Sequence, residues 1–259
     1  MKIIIAGYGF VGKAVTNSLK EKNNLVVVDP KYTDDKIVDH YDADGIVICV
    51  GTPSTPSGNC DSRDVCGVLD GVPESMPVLI KSTISIDVIE SLKLIYPQHE
   101  ICYSPEFLRA ATADKDFADQ TYMILGGTDS NRVWENLFRN SLTKLKTIFH
   151  CSVEEASITK YSINSFLATK VAFFNQIYDV CQAGGIDYDT VRSLITQDKR
   201  IGGSHTQVPG PDGGRGFGGH CFPKDTKAFR KYAYGLNKPI TVLDSAIDYN
   251  ETVRKDVDL

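Results

Sequence analysis

Short apolar runs recur through the first half of the chain. "KIIIA", "LVVVD", "GIVICV", "PVLIK", "EICY" and "YMILGG" run apolar with little alternation, the pattern of strands covered on both faces. Helical or turn segments such as "KAVTNSLKEK" separate them, and this rhythm predicts a doubly wound parallel sheet. From Val153 the period changes. "VEEASITKYSINSFLATKVAFFNQIYDVCQAGG" spaces its apolar residues as a helix does, contains no proline and stops at Gly184-Gly185, so one long helix is expected. A second helix is expected from Pro223 to Gly235, and a last one, "PITVLDSAIDYNETVRKDVDL", running to the chain end without a cap. The predicted fold is α/β, a sheet domain over residues 1–152 followed by an all-helical domain over 153–259.

Composition narrows the function. With 259 residues, 42% hydrophobic and 24% charged, the chain can bury a full core. A net charge of -5 and a pI near 5.6 leave no basic footprint, which argues against nucleic acid as a partner. No apolar run reaches membrane-spanning length, and "MKIIIAGYGFVG" is broken by glycines too early for a signal peptide, so no membrane partner and a cytoplasmic location are expected. The seven cysteines are odd in number and scattered, with neither CxxC nor metal spacing, which predicts reduced thiols and no metal site.

The first strand leads into "GYGFVG", where Gly7, Gly9, Phe10, Val11 and Gly12 turn into a helix, and Asp29 ends the second strand. Glycines there let backbone N–H groups approach a pyrophosphate, and an acid at that distance can accept from a ribose diol. A carboxylate would repel a 2′-phosphate, so NAD is the expected cofactor rather than NADP, on a Rossmann-like domain. Ligands of such sheets gather at the carboxyl ends of the strands, where Gly51, Thr52, Ser82, Thr83 and Glu106 fall. For Ser82 and Ser85 a plain helix cap is an open alternative.

The sharpest candidate lies in "GFGGHCFPKDT". Pro223 suits a first helical turn, which puts Cys221 at a helix N-terminus beside Lys224; both features favour thiolate over thiol. Asp225 follows one turn later on the same face. The alternative is an inert packing cysteine. Lys160 and Asn164 share a face of the long helix, as many solvated pairs do, and the loop residues His205 and His220 carry little weight as partners for the thiol. The Gly- and Pro-rich stretch that leads into Cys221 is long enough to be functional or disordered.

Taken in order, "GYGFVG", "VVVDP", "VGTP", "KSTIS", "SPEFLR", "TKYSINSFLATK", "DKRIG" and "GFGGHCFPKD" resemble the nucleotide-sugar dehydrogenases. The resemblance implies a four-electron oxidation of a sugar C6 alcohol to the acid with two NAD⁺, UDP-glucose leading as substrate and GDP-mannose or a UDP-hexosamine next. It implies Cys221 as nucleophile, Asp225 with Lys160 as base, Lys160 and Asn164 as an oxyanion site, and Glu106, Asp225 and Thr83 near the hydrolytic water. Glu106, Phe107, Leu108 and Arg109 would meet the substrate, Gly216, Phe217, Gly218 and Gly219 would close over it, Lys224 would touch the cofactor, and Arg200 would reach a partner subunit's substrate, which implies a homodimer. Two departures stand out. Ala110 occupies the position of a usual second glutamate, and the chain ends inside the helix that in this family leads to a C-terminal domain. A naturally short form, a piece of a longer protein cut before that domain, and a protein completed by a partner are the alternatives, with an impaired binding or assembly subunit as one alternative function. Another is a two-electron hydroxyacid dehydrogenase, which would have no use for Cys221.

Overall fold

The structure is a computed structural model that describes residues 1–55, 58, 60–127 and 131–254. Its internal contacts divide the chain into two compact units, Met1–Lys160 and Tyr161–Leu259.

The first unit alternates strands and helices, with the six expected strands and a seventh at the end that the apolar runs did not mark: β1 (Lys2–Ala6), α1 (Phe10–Leu19), β2 (Asn24–Val28), β3 (Gly45–Ile48), α2 (Arg63–Leu69), β4 (Val78–Ile80), α3 (Ile86–Ile95), β5 (Ile101–Tyr103), α4 (Ala113–Ala118), β6 (Tyr122–Gly126), α5 (Asn131–Ser141) and β7 (Thr147–Cys151). The strands form one sheet in the order β2-β1-β3-β4-β5-β6-β7. Ile4 pairs with Val26 on one side and Ile46 on the other, a register that sets the apolar runs side by side. Alternate residues then feed opposite faces. Ile3, Ile5, Val47 and Leu79 pack with Phe117, Trp134 and Phe138, while Ile4, Ile46, Ile48, Val78 and Ile80 pack with Val65, Leu69, Ile89 and Leu92. The sheet departs from the fully parallel expectation at one place: β5 and β6 pair antiparallel through Tyr103 and Gly126. A three-residue strand has too few side chains for its direction to be read from periodicity.

The second unit is helical, as expected. It holds most of α6 (Val153–Gly184), then α7 (Tyr188–Ile195), α8 (Phe222–Gly235) and α9 (Thr241–Val253). Ala168 and Ala172 of α6 meet Phe217 and the Leu243, Ala246 and Ile247 stripe of α9 in one cluster, and Phe174, Cys181, Tyr188 and Val208 form another. The division falls about two turns into α6 rather than at its start. Those turns belong to the first unit because Val153 and Ala156 pack into its core and Ser157 donates to the Ile84 carbonyl at 3.0 Å. Helix α9 stops at Val253, with Arg254 extended; the expected continuation over 255–259 lies outside the described residues. Among the described residues no helix is long and apolar enough to cross a membrane.

Trp134, the chain's single tryptophan, is fully buried, and a Cβ added at Gly45 would stand 2.7 Å from its ring and 3.2 Å from the Pro77 carbonyl. Gly45→Ala is therefore expected to destabilise the first unit by about 1–3 kcal/mol through overpacking. Urea unfolding followed by Trp134 fluorescence checks this; an unchanged midpoint would contradict the packing described.

Candidate active site

The turn from β1 into α1 is shaped by main-chain approach. Gly7 has φ +93° and a Cβ there would lie 2.7 Å from the Val50 nitrogen, while one at Gly12 would lie 2.0 Å from the Gly7 carbonyl. Nothing stands within 4 Å of the Cβ position at Gly9, so space remains in front of the first N–H groups of α1. Phe10 begins the helix partly exposed, and Val11 packs against the sheet core. Asp29, just past β2, accepts from the Tyr8 amide at 2.7 Å and the Lys31 amide at 2.9 Å. Each oxygen keeps a lone pair for another donor. Tyr8 and Tyr32 meet edge-on at 5.4 Å, with the Lys13 ammonium 5.6 and 5.0 Å from their centroids. Helix donors opposite a carboxylate are what a dinucleotide's pyrophosphate and ribose require, so these residues fit NAD.

At the carboxyl ends of β3 and β4 the hydroxyls knit loops together. Thr52 Oγ1 donates to the Thr83 carbonyl at 2.7 Å and Ser82 Oγ to the Val50 carbonyl at 2.7 Å. Ser82 is thus no helix cap, and Ser85, which is the N-cap of α3, makes no side-chain capping bond. Gly51 is exposed, with open space at its Cβ position, and Thr83 is half-buried.

Beyond β5 the chain buries an ion pair. Lys160 Nζ donates to Glu106 Oε1 at 3.0 Å and to the Glu106 carbonyl at 2.5 Å, and Glu106 Oε2 accepts from the Leu108 amide at 2.6 Å. Both side chains are more than nine-tenths buried. Phe107 lies under the ammonium, 5.4 Å from ring centroid to Nζ. Arg109 is engaged elsewhere: its exposed guanidinium grips Asp116 through two bonds, which hold the Asp116 carboxyl far below the usual range.

In the second unit Cys221 is the N-cap of α8, half-buried, with Pro223 in the first turn. The Asp225 amide donates to the Cys221 carbonyl at 2.8 Å, so the carboxylate stands one turn along from the sulfur. That carboxylate is buried between Asn164 Nδ2, at 2.6 Å, and Lys224 Nζ, at 2.7 Å. Each acid is thus held within its own unit, Glu106 by Lys160 in the first and Asp225 by Asn164 and Lys224 in the second. Burial pushes the thiols of Cys49 and Cys102 up to about 12, which makes them packing residues. Arg200 is exposed and forked onto Asp198.

Two residues that sequence reasoning passed over shape the glycine loop ahead of Cys221. Asn250 accepts from the Phe217 amide at 2.6 Å and donates to its carbonyl at 3.0 Å, and Asn175 accepts from the Gly216 amide at 3.0 Å. The signal for Asn250 was its place after Leu243, Ala246 and Ile247, where the apolar stripe of α9 calls for another hydrophobe. Phe217 has its ring in the core and both its backbone groups held by Asn250, so it anchors the loop. Gly218 and Gly219 remain more open to solvent. Among the described residues no group of three or more His, Cys, Asp or Glu could hold a metal ion.

Comparison with known proteins gives two matching family models. Residues 31–145 match the NAD binding domain of the UDP-glucose/GDP-mannose dehydrogenase family, and residues 154–252 match its central domain. UDP-glucose 6-dehydrogenase YwqF of Bacillus subtilis is 30% identical over 221 residues, 80% of this chain and 48% of the relative. The chain thus spans about half the length of such relatives. A UDP-glucose dehydrogenase structure from Pyrobaculum islandicum superposes with a TM-score of 0.83 at 24% identity, over 97% of this chain and 68% of the other. A GDP-mannose dehydrogenase structure from Pseudomonas aeruginosa gives 0.70 at 26% identity, over 98% and 69%.

Asn250→Ala removes both bonds to the Phe217 backbone, each worth about 1 kcal/mol. The Phe217 amide is expected to exchange with solvent about tenfold faster or more, with the amides of β1 unchanged. Equal exchange in the variant would mean that Asn250 does not hold the loop.

Proposed function

The chain belongs to the UDP-glucose/GDP-mannose dehydrogenase family, and from that footing we propose that it oxidises the C6 alcohol of a nucleotide sugar to the uronic acid through a thiohemiacetal and a thioester on Cys221. The observation that carries the proposal is Cys221 at the start of α8 with the Asp225 carboxylate one turn on, buried between Asn164 and Lys224. The names of the relatives favour UDP-glucose as substrate, with GDP-mannose or a UDP-hexosamine as the alternatives.

NAD⁺ would be held through the α1 N-terminus and Asp29 and would supply the oxidising power, one molecule for each of two hydride removals. At the first, Asp225 takes the hydroxyl proton as the alcohol becomes an aldehyde. The Cys221 thiolate then adds to the aldehyde carbon, forming a C–S bond and leaving negative charge on oxygen. Lys160 and Asn164 are N–H donors suited to that charge. After the second oxidation the carbon is a thioester. Water attacks it, Glu106 takes the water's proton, the C–S bond breaks and its electrons return to sulfur as thiolate. Lys224 is the residue we assign to the cofactor on the second unit, and Thr83 to the neighbourhood of the water. A two-electron dehydrogenase has no step for Cys221 to serve.

We also propose that the protein is a homodimer. Phe166, Phe173 and Val180 of α6 are 68%, 55% and 65% exposed and recur every seven residues, which sets them along one side of the helix. A second copy presenting the same stripe would cover it. A cytoplasmic location suits a chain whose described cysteines form no disulfide.

With NAD⁺ and a panel of UDP- and GDP-sugars, two NADH per sugar and one uronic acid are expected; one NADH points to a two-electron enzyme, and binding without NADH to an impaired subunit. Cys221→Ser is expected to abolish acid formation without moving the melting temperature, and normal acid yield from it overturns the mechanism. Asn164→Ala is expected to slow turnover about 100-fold. Phe173→Glu is expected to give a monomer by light scattering, and a wild type that is already monomeric sinks the dimer.

A further inference from the structure

Lys81, just beyond β4, is 2% exposed, yet no step above uses it. A buried ammonium is costly unless acceptors replace its water. Here Nζ donates to the Ser104 carbonyl at 2.9 Å and to Ser104 Oγ at 3.2 Å. The rings of Phe117 from α4 and Phe138 from α5 lie 5.5 and 5.9 Å from it, centroid to Nζ. The titratable groups that act on it are Cys49 beyond β3, Cys102 of β5, Glu106 beyond β5 and Lys160 of α6. Both thiols are pushed up to about 12 by burial and stay neutral, which leaves Glu106 as the anion that balances Lys81.

The 104–106 segment is therefore gripped at both ends. Lys81 holds the Ser104 carbonyl, Lys160 holds the Glu106 carbonyl, and the Ser104 amide donates to the Ile80 carbonyl at 2.9 Å. We propose that Lys81 is a positioning residue for Glu106: by fixing Ser104 from within the core it keeps the Glu106 carboxylate on Lys160 and on the Leu108 amide. The catalytic consequence rests on the reading of Glu106 as the group that handles the hydrolytic water; the positioning itself does not.

Burial also gives Lys81 a pH signature. Desolvation lowers its pKa from 10.5 to about 8, so between those values the unfolded chain binds the extra proton and stability rises with pH. The raised thiols of Cys49 and Cys102 act with the opposite sign at alkaline pH. Lys81 is thus read in the difference between wild type and Lys81→Met: the variant is expected to lack the rise between pH 8 and 10.5.

Lys81→Met keeps the volume and removes the donors. It is expected to speed hydrogen exchange at the Leu108 amide about tenfold or more while β1 and β3 amides and NAD⁺ affinity stay as in wild type. During turnover a covalent adduct at Cys221 should accumulate, seen as a mass gain of the intact protein, because hydrolysis is the slowed step. Ser104→Ala, which removes one acceptor, should shift both readouts less and in the same direction, and serves if Lys81→Met does not fold. An unchanged Leu108 amide in the folded variant overturns the positioning role, whatever the activity. Loss of NAD⁺ binding in parallel with every other property also overturns it, since that is a merely structural defect. A loosened Leu108 amide in a protein whose wild type makes no uronic acid sustains the positioning and sinks the reading of Glu106.

Discussion

A carboxylate taken out of water keeps its charge only where protein donors replace the lost hydration, at a cost of several kcal/mol per ion otherwise. Among the described residues two acids are buried under that constraint, and each meets it differently. Glu106 has an ammonium on one oxygen and a main-chain amide on the other. Asp225 has a side-chain amide on one and an ammonium on the other. No oxygen of either group lacks a donor, so each carboxylate has a fixed direction within its own unit. Hydrophobic replacements would stabilise such sites as well or better, so a folding role alone does not explain why the charges are there.

Helix α6 carries a donor for each acid: Lys160 is the last residue of the first unit, and Asn164 lies in the second. The first turns of α6 are themselves fixed by Val153, Ala156 and the Ser157 bond to Ile84.

Much of this was legible in the chain because it depends on local pattern. Unbroken apolar runs gave away the strands, glycine at positions 7, 9 and 12 with Asp29 marked the dinucleotide turn, and proline after Cys221 marked the start of α8. What stayed hidden depends on partners far away in sequence. Thr52 and Ser82 read equally well as ligand-facing hydroxyls until the Thr83 and Val50 carbonyls come within reach. The contact of the Lys160 ammonium with Glu106 likewise joins residues 54 positions apart, beyond the reach of local pattern. Phe217 was grouped with its flanking glycines by resemblance, and its place in a core shows only once Ala168 and the apolar stripe of α9 come within reach.

The thiols show how environment separates chemistry from packing within one residue type. Cys49 and Cys102 lie in the sheet core, where no water and no helix terminus can carry negative charge, and burial pushes them up to about 12. A nucleophile needs thiolate near neutral pH and room for a carbon to approach. Cys221 lies in a different setting. It caps α8, where the N–H groups of the first turn point outward past it, and it is only half-buried. The Asp225 carboxylate one turn on would oppose ionisation of the sulfur if left bare, but Lys224 and Asn164 already hold it. The same two donors that make a buried acid tolerable thus offset its charge within one helical turn of the sulfur.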